Sequence, residues 1–182
     1  GFKPELIHIG QSASSVRMKS KYANATRIGL SLYGLNPFPT GHKLYSEFKK
    51  NLKPALKFVS TISKVNYLKP GDGVSYNYTF RAKKNMKIAV LPLGYYEGID
   101  WRLSNKGKVK LGEKFLPIVG KVCMNHTMID ISGTSAKVGD EVAVFSDNPD
   151  DENSLDNIAA RHALFIYELA TRLSPDVRRV LV

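Results

Sequence analysis

The sequence predicts a mainly β protein that ends in a helical stretch. Three observations carry this. Short runs rich in β-branched and aromatic residues recur from about Phe58 to Phe145. Glycine-bearing turns separate them, as in barrels and sandwiches. From Leu155 the apolar residues change to helical spacing.

Taken in order, Leu6-Ile7-His8-Ile9 is an apolar run stopped by Gly10-Gln11-Ser12, which reads as a strand and its loop. Residues 12–22 are small, polar and basic, and predict a short helix. Arg27 to Tyr33 predict a strand and turn. Residues 35–43 are rich in turn formers and mark a boundary, with one domain over 1–43 and a β-rich one over 44–182. Leu44, Tyr45, Phe48 and Leu52 fall near helical spacing, and Pro54 stops that helix. Residues 58–65 read as one strand. Lys69 to Gly73 form a turn, and Val74–Phe80 a further strand. Met86–Leu93 is strongly apolar and ends at Gly94-Tyr95-Tyr96-Glu97-Gly98. Strands follow at 108–111, 115–119, 122–131 and 141–145. Ser154 caps a helix carrying Leu155, Ile158, Ala159, His162 and Ile166 on one face through about Arg172. Pro175 ends it, and residues 177–182 read as a final strand.

Composition narrows the function. No run of 18 apolar residues exists, so no membrane-spanning helix is expected, and no signal-peptide pattern opens the chain. The single cysteine, Cys123, excludes an internal disulfide and a cysteine-rich metal site, and suits a reducing cytoplasm. The four histidines lack metal-ligand spacing. The net charge of +11 is lopsided, because residues 1–70 hold 12 Lys/Arg against 2 Asp/Glu. Such a block suits either nucleic acid or a complementary acidic segment outside this chain; the second is preferred here.

Three stretches carry candidate chemistry. They are Thr26-Arg27-Ile28-Gly29-Leu30-Ser31-Leu32-Tyr33-Gly34, Pro70-Gly71-Asp72-Gly73-Val74-Ser75-Tyr76, and Val119-Gly120-Lys121-Val122-Cys123-Met124-Asn125-His126. The turn before Ser75-Tyr76 puts a phenol at an edge that a ligand can reach. Together the three resemble alanine racemase, a pyridoxal 5'-phosphate (PLP) enzyme. The resemblance runs from about His8 to the C-terminus and covers about the second half of the family's usual chain. It implies the last strands of a (β/α)8 barrel followed by the C-terminal β-domain. The family's cofactor-lysine segment, Val-x-Lys-x-Asn-Ala-Tyr-Gly, appears nowhere, so the chain is expected to be a C-terminal fragment that does not racemise alone.

The resemblance assigns further roles. Arg27 would face the pyridine nitrogen, and His8 would hydrogen-bond that arginine. Ser12 with the amides of Gly29 and Leu30 would hold the cofactor phosphate, and Tyr167 would add its phenol. Tyr76 would be the catalytic tyrosine, acting in the active site of the other subunit of a homodimer. The Met124 amide would contact the substrate carboxylate, and Tyr95 would stand at the active-site entrance. Gln11 and Asn125 depart from the usual asparagine and aspartate, and the latter leaves the local charge open. The implied activity is interconversion of L- and D-alanine for peptidoglycan, with alanine as the small-molecule partner. Neither nucleic acid nor membrane is expected as a partner.

Other readings compete. A serine or broad-specificity racemase shares these motifs. A related decarboxylase usually places an acidic residue at the pyridine nitrogen, against Arg27. From another class, a basic β-domain could bind RNA, although no RRM-like motif is present.

Overall fold

The computed structural model describes residues 3–181. They form two compact units, one of residues up to Leu56 with Asp147–Pro149, the other of Lys57–Ser146 with the residues from Asp150 onward. The sequence suggested a boundary after Lys43. The first unit instead continues through the helix that follows.

In the first unit, β1 (His8–Gln11) leads into the short helix α1 (Ser12–Ser15), and β2 (Ala25–Arg27) pairs parallel to β1. Gln11 caps α1: its Oε1 accepts from the Ala13 amide at 2.7 Å, and its own amide donates to Ser14 Oγ at 2.8 Å. An amide side chain here therefore has a local backbone role. Asn24 ties the strand entrances together, accepting from Ile7 N and donating to Glu5 O. A 3₁₀ turn over Leu30–Tyr33 ends at Gly34 with φ +71°. A Cβ at Gly34 would lie 1.7 Å from Lys53 O, so only glycine fits this close approach. Helix α2 (Tyr45–Asn51) docks through Phe48 edge-on to Phe38, while Asn36 donates to Tyr45 O.

The second unit is built from β3 (Phe58–Thr61), β4 (Lys64–Leu68), β5 (Gly73–Val74), β6 (Phe80–Arg81), β7 (Met86–Leu91), β8 (Lys108–Leu111), β9 (Lys114–Pro117), β10 (Thr127–Asp130) and β11 (Glu141–Phe145). One sheet has the order β10-β7-β4, another β3-β11-β8-β9, and β5-β6 forms a ribbon. An Ile118–Ile129 bridge joins the β9 end to β10. At Ile62-Ser63 the chain passes from one sheet to the other: Ile62 N donates to Asp140 O and Ser63 N to Val90 O. The path of paired strands thus closes into a barrel, which removes sheet edges. Leu91, Val109, Ile129, Ile131, Val142 and Phe145 are fully buried inside it.

Several sequence expectations are corrected. The strand expected over 58–65 is two strands, because the backbone pairing passes from Asp140 at Ile62 to Val90 at Ser63. Residues 74–80 are not one strand: a tight turn at Ser75–Tyr78 splits β5 from β6. Of 122–131 only 127–130 is strand, since Cys123 N donates to His126 O in a turn. The C-terminal helix is two helices, α3 (Leu155–His162), capped by Ser154, and α4 (Ile166–Thr171), because Ala163 takes a left-handed φ of 52°. Among the described residues 177–181 form no strand. Arg179 instead donates to the carbonyls of Leu173, Ser174, Pro175 and Val177. Val182 lies outside the described residues.

A charged network ties α4 to the barrel. The fully buried Asp100 carboxylate accepts from Arg102 N and Nε at 2.8 Å and from Nη2 at 2.5 Å. Arg102 also reaches Glu168 at 2.9 Å, and Arg172 bridges Glu168 and Asp100. Burial pushes the Asp100 pKa up, but the Arg102 hydrogen bonds outweigh it and hold the carboxyl below its usual value. A depressed folded pKa gives stability that is present above the unfolded value and lost as pH falls through the folded one. Arg102→Met strands a buried charge, and is expected to cost about 3 kcal/mol at pH 7. Urea unfolding from pH 7 to pH 3 should show that deficit shrinking as Asp100 becomes protonated.

Candidate functional site

The first unit gathers five of the residues singled out from the sequence. Parallel pairing of β1 and β2 brings Arg27 Nη1 to 2.8 Å from His8 Nδ1, with His8 O at 3.4 Å. A guanidinium only donates, so Nδ1 must accept and the His8 proton sits on Nε2. Arg27 is thereby oriented while remaining exposed. Ser12 is buried, and its Oγ accepts from Gly29 N at 3.1 Å and Ser31 N at 3.4 Å. Ser12, Gly29 and Leu30 are thus brought together, with the Gly29 amide engaged by Ser12. Two acceptances leave the Ser12 hydroxyl proton to donate elsewhere.

The second unit gathers Tyr76, Tyr95 and Met124 on three neighbouring loops. All three are half or more exposed, at 68%, 52% and 50%. Tyr95 N donates to Cys123 O and Tyr96 N to Met124 O, both at 3.0 Å. Gly94 permits this, since a Cβ there would lie 2.0 Å from Cys123 O. Glu97 locks the pair: Oε2 accepts from Gly94 N at 2.6 Å, and Oε1 from Asn125 Nδ2 at 2.7 Å. Ser75 Oγ donates to Lys121 O at 2.8 Å and lies 3.4 Å from Cys123 Sγ. Tyr167 stands on α4, stacked on Phe165 at 5.1 Å. The segment that follows this helix reaches the same loops through Ser174 N to Glu97 O and Tyr96 Oη to Asp176. That bond to Asp176 raises the Tyr96 pKa above its ordinary value.

Sequence reasoning gave no role to Ser31, Ser75 or Glu97. Ser31 Oγ is buried and without a partner beside the Ser12 cradle. Glu97, three residues after Gly94, was visible only as part of a loop. Among the described residues no three His, Cys, Asp or Glu side chains converge as a metal site, and no helix is long and apolar enough to cross a membrane.

A family model described as the C-terminal domain of alanine racemase matches residues 55–181. The chain belongs to that family. It is 38% identical over 181 residues to an alanine racemase of Lactobacillus acidophilus, covering 98% of this chain and 47% of the relative. Alanine racemase 1 of Clostridium acetobutylicum is 34% identical, with 99% and 46% covered. A crystal structure of the Bacillus anthracis alanine racemase with bound L-Ala-P superposes with a TM-score of 0.83 at 31% identity, covering 96% of this chain and 44% of that one. The chain thus spans about half the length of the relatives it matches. The mainly β architecture is that of the family's C-terminal domain.

The Glu97–Asn125 contact resolves the local charge at the position where the family commonly has aspartate. An amide donates to the Glu97 carboxylate, whereas an aspartate would face a like charge. Asn125→Asp is therefore expected to lose about 0.5–1 kcal/mol at pH 7, the scale of an exposed charge contact. Thermal unfolding of the two proteins at pH 7 measures the loss.

Proposed function

We propose that this chain is the C-terminal part of a PLP-dependent alanine racemase, a cytoplasmic homodimer that supplies D-alanine for peptidoglycan. The relatives favour this over the RNA-binding reading. The observation that carries it is an oriented, exposed guanidinium at Arg27 together with an exposed phenol at Tyr76. Neither is sealed in hydrocarbon.

The residues present fit the cofactor. The cradle offers the Ser12 hydroxyl proton and the Leu30 amide to a phosphate, with the Gly29 amide held on Ser12 Oγ. A Cβ at Gly29 would meet nothing within 4 Å, so there is room beside it. The orphaned Ser31 hydroxyl supplies one more donor. Bound PLP would supply the electron sink that makes an amino-acid α-proton removable.

This chain's own residues then divide the work. Arg27, with a permanent charge and no acceptor, would stand against the pyridine nitrogen of bound PLP and keep it unprotonated. That would limit the charge the ring accepts and disfavour side reactions such as transamination. His8 keeps the guanidinium in place. Tyr167 adds a phenol to the phosphate contacts. The Met124 amide binds the substrate carboxylate, and Tyr95 narrows the entrance. Tyr76 exchanges a proton with one face of the α-carbon, and a lysine outside this chain serves the other. In the homodimer, Tyr76 and Arg27 of one chain serve different active sites.

In the full-length protein, Tyr76→Phe is expected to lower kcat by roughly 10²–10⁴-fold, the range of a lost general acid–base group. Coupled assays in both directions with alanine, and with serine as competitor, measure it. The isolated chain should give no turnover; activity in a preparation free of full-length enzyme contradicts the assignment.

A further inference from the structure

The backbone around Tyr76 is strained on both sides. Ser75 has φ 63° and ψ −174°, a region that is essentially glycine-only. Asn77 and Tyr78 follow with φ of 58° and 47°. Such a run persists only where its surroundings over-determine it, and here they do. Ser75 Oγ donates to Lys121 O at 2.8 Å. Gly120 lies so close that its Cβ would stand 2.7 Å from Ser75 Cβ. Asn105 clamps the same region: Oδ1 accepts from Gly120 N at 2.6 Å, and Nδ2 donates to Thr79 Oγ1 at 3.3 Å. At the far end, the Tyr78 ring covers Gly73, where a Cβ would lie 2.1 Å from it.

The acceptor that Ser75 uses is informative. Lys121 stands three residues before Met124 on one loop. That loop is fixed in turn by the Cys123 and Met124 carbonyls accepting from Tyr95 and Tyr96. The Ser75 hydroxyl therefore joins the backbone that carries Tyr76 to the loop that presents the Met124 amide. In an amino acid the carboxylate carbon is bonded directly to the α-carbon. A group that moves the α-proton and a group that anchors the carboxylate must then keep one fixed spacing, since small misplacements are costly in rate.

We propose that Ser75 is a positioning residue, setting the Tyr76 phenol in register with the carboxylate-binding loop through its bond to Lys121 O. This rests on the roles given above to Tyr76 and Met124. The strained φ is the consequence of turning the chain so that the hydroxyl points at Lys121 while the next side chain points outward to solvent.

The test uses full-length enzyme carrying Ser75→Ala, Ser75→Gly or Tyr76→Phe. Ser75→Ala removes the hydroxyl and keeps the strain. Ser75→Gly removes both, so a folded variant is obtained even if the alanine variant is unstable. Both serine variants should lower kcat by about tenfold or more. Both should also raise the α-deuterium isotope effect for the one enantiomer whose proton Tyr76 removes, and lower that of the other enantiomer, whose proton leaves before the slowed Tyr76 step. A general loss of packing would not single out one enantiomer. Wild-type kinetics and isotope effects in folded Ser75→Ala or Ser75→Gly, with Tyr76→Phe inactive, overturn the positioning role alone. Full activity in Tyr76→Phe overturns the reading beneath it.

Discussion

The side-chain-free approach of Gly94 to the Cys123 carbonyl is the constraint on which the second unit's loops depend. β7 and β10 pair antiparallel, with Leu91 opposite Thr127. Beyond their ends the chain would ordinarily diverge. Instead Thr127 Oγ1 donates to Leu93 O, and the amides of Tyr95 and Tyr96 continue the pairing to Cys123 and Met124. A Cβ at Gly94 would collide with that carbonyl. Two segments that carry functional candidates are thereby held by backbone bonds rather than by side-chain packing. Glu97 closes the arrangement from its outer side.

This organisation reconciles exposure with order. Tyr76, Tyr95 and Met124 stand in solvent, yet the backbone beneath each is pinned to the barrel. Exposed groups on rigid elements suit a surface that is completed by another chain, as an active site shared across a dimer requires. In the first unit the same logic uses different means. A parallel strand pair aligns His8 with Arg27, and a buried hydroxyl gathers the amides that follow.

Much of the fold was legible because strand periodicity and glycine turns are local signals. The run Met86–Leu91 and the Ser154 cap are direct examples. What escaped was set by long-range contacts. Ile62 looks like any strand residue, and only the sheet corner made by Asp140 and Val90 reveals the break. Ala163 carries no glycine-like signal for its left-handed turn. Val74–Phe80 has strand composition, yet Gly120 and Lys121, far along the chain, bend it at Ser75. The candidate residues were found through motif resemblance. Their supports, Ser31, Ser75 and Glu97, were given no role, since a supporting residue is identified by what it touches. The departure at Asn125 likewise made sense only once Glu97 was seen beside it.

The central claim is that Arg27 of one subunit and Tyr76 of another serve one active site. Subunit mixing tests it most directly. Full-length Arg27→Leu and Tyr76→Phe proteins, each inactive alone, are unfolded together, refolded and assayed. If the two residues come from different chains, every hybrid dimer has one site with both intact, and random pairing restores roughly a quarter of wild-type activity in a two-fold dimer. If they come from the same chain, each site in the hybrid lacks one of them, and activity stays at the level of the parents.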